Sequence, residues 1–161
     1  MKLSRNNKII YFTLCVIVTI LLDLYLSNFI IENLQNFQQN NLSKLVEITY
    51  YENTGAAFSI LENTTIILIL IGVLSIIGLI YLLIKHIEQS KTIDCFLLAM
   101  LVAGIFCNTY ERIIYGFVRD FFQLKTFYFP IFNISDILIN ISVLAIIFVV
   151  VKYNKKKNNN E

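Results

Sequence analysis

The stretch Ile66–Ile84, IILILIGVLSIIGLIYLLI, decides the fold class. Its nineteen residues carry no charge, and at about 1.5 Å per residue a helix of that length nearly crosses a hydrocarbon core of about 30 Å. A helix apolar on every side suits lipid and not water. Working outward, the reading repeats three times: Ile9–Ile31, about Thr92–Tyr110 and about Ile134–Val151. Four spans of roughly twenty residues would use about half of the chain. The composition agrees: over 161 residues the mean hydropathy is +0.70, with 57% hydrophobic and 15% charged residues, too oily for a soluble domain of this size. The expectation is an all-α membrane protein, a four-helix bundle forming one domain over residues 1–161. The basic start of the first run resembles a signal sequence. Its apolar stretch is too long, however, and no small-residue cleavage site follows, so it reads as a retained span.

Charge placement gives the orientation. Lys2, Arg5 and Lys8 precede the first span, Lys85 and Lys91 flank the short break after the second, and Lys152, Lys155, Lys156 and Lys157 follow the fourth. The opposite side carries Lys44, Arg112, Arg119 and Lys125 over longer loops. The positive-inside rule therefore puts both termini in the cytoplasm. Cys15, Cys95 and Cys107 are odd in number, fall in or beside apolar runs and have no ligand-spaced neighbours, so they read as small apolar fillers. His86 reads as solvated, and neither a metal nor another cofactor is expected. Gly72 and Gly78 read as helix-packing notches.

The two outer segments differ in character. Within 32–62, Leu45–Tyr51 (LVEITYY) is β-branched and aromatic with partial alternation, which predicts a strand in a small sheet on the membrane surface. The small-residue stretch Asn53–Leu61 (NTGAAFSIL) suits close packing at the interface. The second segment, Arg112–Phe132, holds Tyr115, Phe117, Phe121, Phe122, Phe127, Tyr128, Phe129 and Phe132, and reads as a re-entrant or surface-lying connector in the headgroup layer. It lacks the basic stripe that nucleic acid requires.

Acids at membrane depth are costly and need a partner or a task. Asp23, Glu111, Asp120 and Asp136 all fall towards the outer side under this topology. Asn108, Glu111 and Arg112 are three and four apart and read as a self-satisfied polar cluster. Asn133 and Asp136 stand where an N-cap and its N3 acid would stand. Asp120, among phenylalanines, has no such structural excuse. Sixteen residues on from it, Asp136 is close enough along the chain to be brought beside it. Two carboxylates about 4 Å apart at an effective dielectric of about 20 repel by about 4 kcal/mol, so one would keep a proton at neutral pH. Such a pair can activate water and protonate a carbonyl, which is what metal-free peptide hydrolysis requires.

With these residues in hand, the chain resembles the lipoprotein signal peptidase (signal peptidase II) family of intramembrane aspartyl proteases. The resemblance rests on Asp23, the run Asn53 to Ser59 (NTGAAFS), Asn108 and Arg112, Gly116 to Phe121 (GFVRDF) and Phe132 to Asp136 (FNISD). It implies catalytic roles for Asp120 and Asp136, with Asn53, Asn108, Arg112 and Asn133 around them and with Asp23 and Glu111 supporting the site. It further implies cleavage of diacylglyceryl-modified prolipoproteins before the lipidated cysteine, a four-helix bundle with a small outer β-cradle, a bacterial cytoplasmic membrane location, contact with membrane lipids, and a monomer. Departures from the family pattern are Leu24 for Gln, Ser27 for Lys, Cys107 for Gly and Glu111 for Asp. They bear on substrate range and efficiency and leave the two aspartates intact. The rival readings are a catalytically silent precursor-binding relative and a small proton-coupled transporter; the second would need acids spread over the membrane depth.

Overall fold

A computed structural model describes residues 3–39, 45–55, 64–125 and 129–158, the last six and Gln39 by backbone alone. Lys2, Lys44, Ala56–Leu61, Phe127, Tyr128 and the side chains of Lys155, Lys156 and Lys157, all used in the sequence reading, lie outside the described residues. The elements run α1 (Arg5–Glu32), α2 (Leu34–Gln39), β1 (Val46–Asn53), α3 (Thr65–His86), α4 (Thr92–Tyr115), β2 (Val118–Leu124) and α5 (Ile134–Asn158). α1, α3, α4 and the Ile134–Lys152 part of α5 are each long and apolar enough to span a bilayer.

α4 is the hub. Half of its most apolar window is buried, against 11% for each of the other three helices, and α1, α3 and α5 all pack on it. The sequence explains why. Ala99, Ala103 and Gly104 are small and buried, so neighbouring backbones can approach closely. A Cβ on Gly104 would stand 2.8 Å from the Ser135 carbonyl oxygen and 2.9 Å from Ile139 Cγ1, which measures how tightly α5 sits there. Gly72 performs the same service for α3, since a Cβ there would collide with Thr109 Oγ1. Gly78, the other expected notch, faces open space instead; with nothing within 4 Å of its missing Cβ, it lies on the lipid side of α3. The other three helices turn Leu14, Leu21, Leu74, Leu144 and similar side chains outward, the arrangement of a bundle solvated by acyl chains.

Lys8 departs from a simple topology anchor. It is buried, and its Nζ donates to the carbonyls of Ile87 (2.8 Å), Glu88 (3.1 Å) and Ser90 (2.6 Å). Those are orphan acceptors past the end of α3, so one ammonium satisfies three groups and ties the start of α1 to the α3–α4 turn. Beside it, Phe12, Leu83, Ile87, Cys95, Ala99 and Val102 form an apolar core, which accounts for Cys95 as a filler.

At the other end β1 and β2 pair antiparallel, with Val46 opposite Leu124, Ile48 opposite Phe122, Tyr51 opposite Asp120 and Asn53 opposite Val118. The expected strand is thus present and runs two residues further, to Asn53. Its partner comes from the aromatic connector, whose alternation of Val118, Asp120 and Phe122 is strand-like once a neighbour supplies hydrogen bonds. Three residues of β1 span two of β2 between Ile48 and Tyr51, a bulge that re-aims the strand just before Asn53. Phe132 adds a further bridge: Phe121 and Phe122 donate their N–H to its carbonyl at 3.1 and 2.8 Å, and its own N–H returns to Phe122 at 3.0 Å.

Candidate active site

The Phe132 bridge positions the site. It draws the start of α5 against β2, so that Asp120 on the strand feels the charge of Asp136 in the first turn of the helix. α4 supplies the third wall. It runs to Tyr115, past the Tyr110 limit read from hydropathy, because its last turns carry a polar face into the site rather than meeting lipid. Gly116 then stops it in the left-handed conformation (φ 86°), its N–H bonded to the Arg112 carbonyl at 3.1 Å.

The two acids are solvated unequally. Asp136 Oδ1 accepts from Asn108 Nδ2 at 2.8 Å and Oδ2 from the Asn133 N–H at 3.3 Å. Asn133 Oδ1 in turn accepts the Asp136 N–H at 2.9 Å, the reciprocal capping expected from their spacing, and Asn133 Nδ2 donates to Asn108 Oδ1 at 3.0 Å. A carboxylate there also sits at the positive end of α5. Asp120, fully buried, has one donor among the described residues, Asn53 Nδ2 at 2.8 Å to Oδ2, and its Oδ1 has no partner among them. Burial is the main cause, and the Asp136 charge the second, that push Asp120 from its ordinary 3.8 up to about 7; the Asn53 bond and the Arg112 charge pull the other way.

Arg112 does not close on Glu111. Its Nη1 donates to the Asn108 carbonyl at 3.2 Å and its Nη2 to the Gly55 carbonyl at 2.6 Å. Glu111 instead grips Arg119: Oε2 accepts the Arg119 N–H at 2.7 Å, and Oε1 accepts Nε at 2.9 Å and Nη2 at 2.6 Å. Arg119 also donates to Asn28 Oδ1 at 3.1 Å and stacks over Tyr115 at 4.6 Å. The self-satisfied cluster expected of Asn108, Glu111 and Arg112 is therefore corrected. Helical spacing made them neighbours, but each has a better partner from another element: Asp136, Arg119 and Gly55.

Asp23 lies apart from the pair, linked to it by one residue. It is buried, with Oδ2 accepting from Ser135 Oγ at 2.7 Å and Oδ1 from Ser27 Oγ at 3.5 Å, and Cys107 lies against it. Two of the four departures, Ser27 and Cys107, thus gather on one carboxyl group that holds the residue before Asp136. Arg119, Ser135, Gly55 and Gly104 were not singled out for the site from the sequence. Arg119, Gly55 and Ser135 had a signal, as members of the quoted motifs; Gly104 had none.

Asn53, Asn108, Arg112 and Asp136 line a cavity of about 830 Å³ between α3, α4 and α5, whose walls mix apolar groups such as Leu68, Ile71, Ile105 and Ile139 with Ser75, Thr109 and Asn140. Among the described residues, no group of three or more His, Cys, Asp or Glu could hold a metal ion. What the arrangement offers is a buried acid of raised pKa, a well-donated carboxyl group beside it, and a guanidinium acting on both.

The family model for signal peptidase (SPase) II matches residues 15–152. This chain belongs to the signal peptidase II family. It is similar to the lipoprotein signal peptidase of Clostridium acetobutylicum, 32% identical with 89% of this chain and 96% of that one covered. The lipoprotein signal peptidase of Francisella tularensis subsp. novicida is 34% identical over 94% and 96% of the two chains. A bacterial membrane enzyme solved by the in meso method at 2.3 Å superposes with a TM-score of 0.80 at 26% identity, covering 97% of this chain and 94% of that one. Signal peptidase II proteins are peptidases, so the chain is a membrane hydrolase with four apolar helices and a two-stranded sheet.

Proposed function

We propose that this signal peptidase II removes signal peptides from diacylglyceryl-modified prolipoproteins, cutting before the lipidated cysteine, with Asp120 and Asp136 as the catalytic pair. The observation that carries the reading is their unequal solvation around one guanidinium: among the described residues, a single donor to Asp120, and two donors and a helix N-terminus to Asp136. That asymmetry gives the shared proton to Asp120. Asp136, ionised, takes a proton from water as its oxygen bonds to the scissile carbonyl carbon, while Asp120 gives its proton to the carbonyl oxygen. The tetrahedral diol then collapses: Asp136 protonates the leaving nitrogen and Asp120 recovers its proton from the hydroxyl. Asn53 and Asn108 hold the two carboxyl groups in place, Asn133 caps the helix that carries one of them, and Arg112 steadies the charge of the pair and anchors the Gly55 backbone. Asp23 and Glu111 act one step removed, through Ser135 and Arg119.

The same reading has both termini cytoplasmic and the pair near the outer face. The distribution of basic residues supports it, and Lys8 bonding the α3–α4 turn requires the start of α1 and that turn to lie at one end. The apolar walls of the cavity suit the acyl chains and small side chains of a lipidated precursor. The test is incubation of the purified chain with a diacylglyceryl precursor, with Asp120→Asn and Asp136→Asn alongside and globomycin as competitor. Each variant is expected to leave the precursor uncut, and normal cleavage by either one would reject the pair.

A further inference from the structure

α3 and α5 both lean on α4 and leave a trough between them. Its outer half is the cavity of the candidate site. Its inner half is a second cavity of about 800 Å³, walled by Leu83 of α3, Leu97 of α4, and Ile146 and Phe148 of α5, with Lys91 and Lys152 among the residues that line it. The recess opens outward on its α5 side, where Phe148 is 68% exposed, while Leu83 and Leu97 form its buried floor. A hydrocarbon-lined recess of this size inside a bilayer is filled by acyl chains, and the charges near its end decide which lipid supplies them. Lys91 and Lys152 are both exposed, and the one side-chain salt bridge among the described residues, Arg119 with Glu111, lies elsewhere, so neither ammonium group forms an ion pair with a described carboxylate. His86 adds a third basic group to the lining. The one acid there, Asp94, is occupied at the start of α4, where its Oδ2 accepts the Lys91 N–H at 2.7 Å.

We propose that this inner cavity is a binding site for a phospholipid with an anionic headgroup, its acyl chains in the trough and its phosphate between Lys91 and Lys152. From Lys152 to Ile146 the wall descends about 9 Å at 1.5 Å per residue, a depth that accepts the upper part of an acyl chain below a headgroup at the interface. Charge complementarity selects the occupant. A zwitterionic lipid carries its own cation to the lysines, and the basic start of a signal peptide would meet like charge there. A lysine close to an anionic lipid headgroup is worth about 1 kcal/mol, or about fivefold in relative affinity.

The chain contains no tryptophan, so one can be introduced as a single reporter. Phe148→Trp puts it in the cavity wall, and Ile17→Trp puts it on the lipid-facing side of α1. Each full-length variant is reconstituted into vesicles of phosphatidylcholine mixed with brominated phosphatidylglycerol, and separately with brominated phosphatidylcholine, and quenching gives the relative affinity. The expected result is a preference of about fivefold or more for phosphatidylglycerol at Phe148→Trp, near unity at Ile17→Trp, and near unity at Phe148→Trp once Lys91→Gln and Lys152→Gln are added. Equal quenching by both lipids at Phe148→Trp, or a preference that survives loss of both lysines, would overturn the proposal. Far-UV circular dichroism of each variant confirms that it is folded. Since no cleavage is measured, failure here leaves the proteolytic reading untouched.

Discussion

Replacing Asp120 by asparagine should make the protein more stable in a way that depends on pH. In the folded chain burial and the Asp136 charge raise Asp120 from 3.8 to about 7. A group whose folded pKa is raised contributes stability that is full below its unfolded value and is lost as pH climbs through the folded one. Between pH 5 and pH 7 the unfolded chain has released this proton and the folded chain still holds it. Each of those two units costs about 1.4 kcal/mol, so by pH 8 the parent has lost about 3 kcal/mol from this residue relative to pH 5. Asp120→Asn cannot ionise and keeps an oxygen for the Asn53 amide. Its stability relative to the parent should therefore be about 3 kcal/mol greater at pH 8 than at pH 5, while cleavage is lost at both. Unfolding by SDS in mixed micelles, followed by far-UV circular dichroism at the two pH values, reads the difference directly. A difference within about 1 kcal/mol of zero, or one of opposite sign, would show that Asp120 is already ionised at pH 5 and would refute its assignment as proton holder.

Four further outcomes are expected. The kcat/KM for a lipidated precursor should fall on the basic side with an apparent pKa near 7; Asn53→Leu removes a donor to the ionised form, worth about 1.5–3 kcal/mol, and should move that limb up by about one unit or more in a pH–rate profile. Lys8→Met leaves three carbonyls without their ammonium and should cost about 2–4 kcal/mol in the same SDS titration. Glu111→Asp shortens the arm that holds Arg119 by one methylene and should cost about 1–3 kcal/mol, whereas the charge alone is unchanged; equal stability would show that the three bonds to Arg119 are dispensable. Gly72→Leu should destabilise by about 1–3 kcal/mol through its collision with Thr109, and Gly78→Leu should stay within about 0.5 kcal/mol of the parent.

What could be read in the sequence follows the range of the forces involved. The four helices announce themselves because the bilayer imposes one length and one composition on each, and the capping of α5 by Asn133 and Asp136 is legible because both partners lie within one turn. Leu45–Tyr51 is legible as a strand from its side chains alone, but its partner is not. Val118–Leu124 sits in a run of aromatics that suits the headgroup layer equally well, and only pairing with β1 decides between the two. The hub role of α4 was hidden for a related reason. Hydropathy ranks it the least apolar of the four, at 1.8 against 3.1 for α3, although it is the most buried, because small and polar residues that lower the score are the ones that admit neighbours.

The misreading of Glu111 and Arg112 shows where local rules stop. Helical neighbours three and four apart interact by only about 0.2–0.5 kcal/mol in water, so any partner from another element with better geometry outbids them. Glu111 finds three donors on Arg119, and Arg112 bonds the Gly55 carbonyl instead. A shorter acid at 111 would have less reach to Arg119, and Arg112 would then have a competing anion within its own turn. The longer side chain at 111 therefore suits the division seen here: Arg119 fixes β2 to α4, and Arg112 holds the Asn108 and Gly55 carbonyls, as the proposed function requires of it. The same reasoning links Ser27 and Cys107, far apart in the chain yet both in contact with Asp23, so a change at one alters the setting in which the other must hold Ser135 and, through it, the first turn of α5.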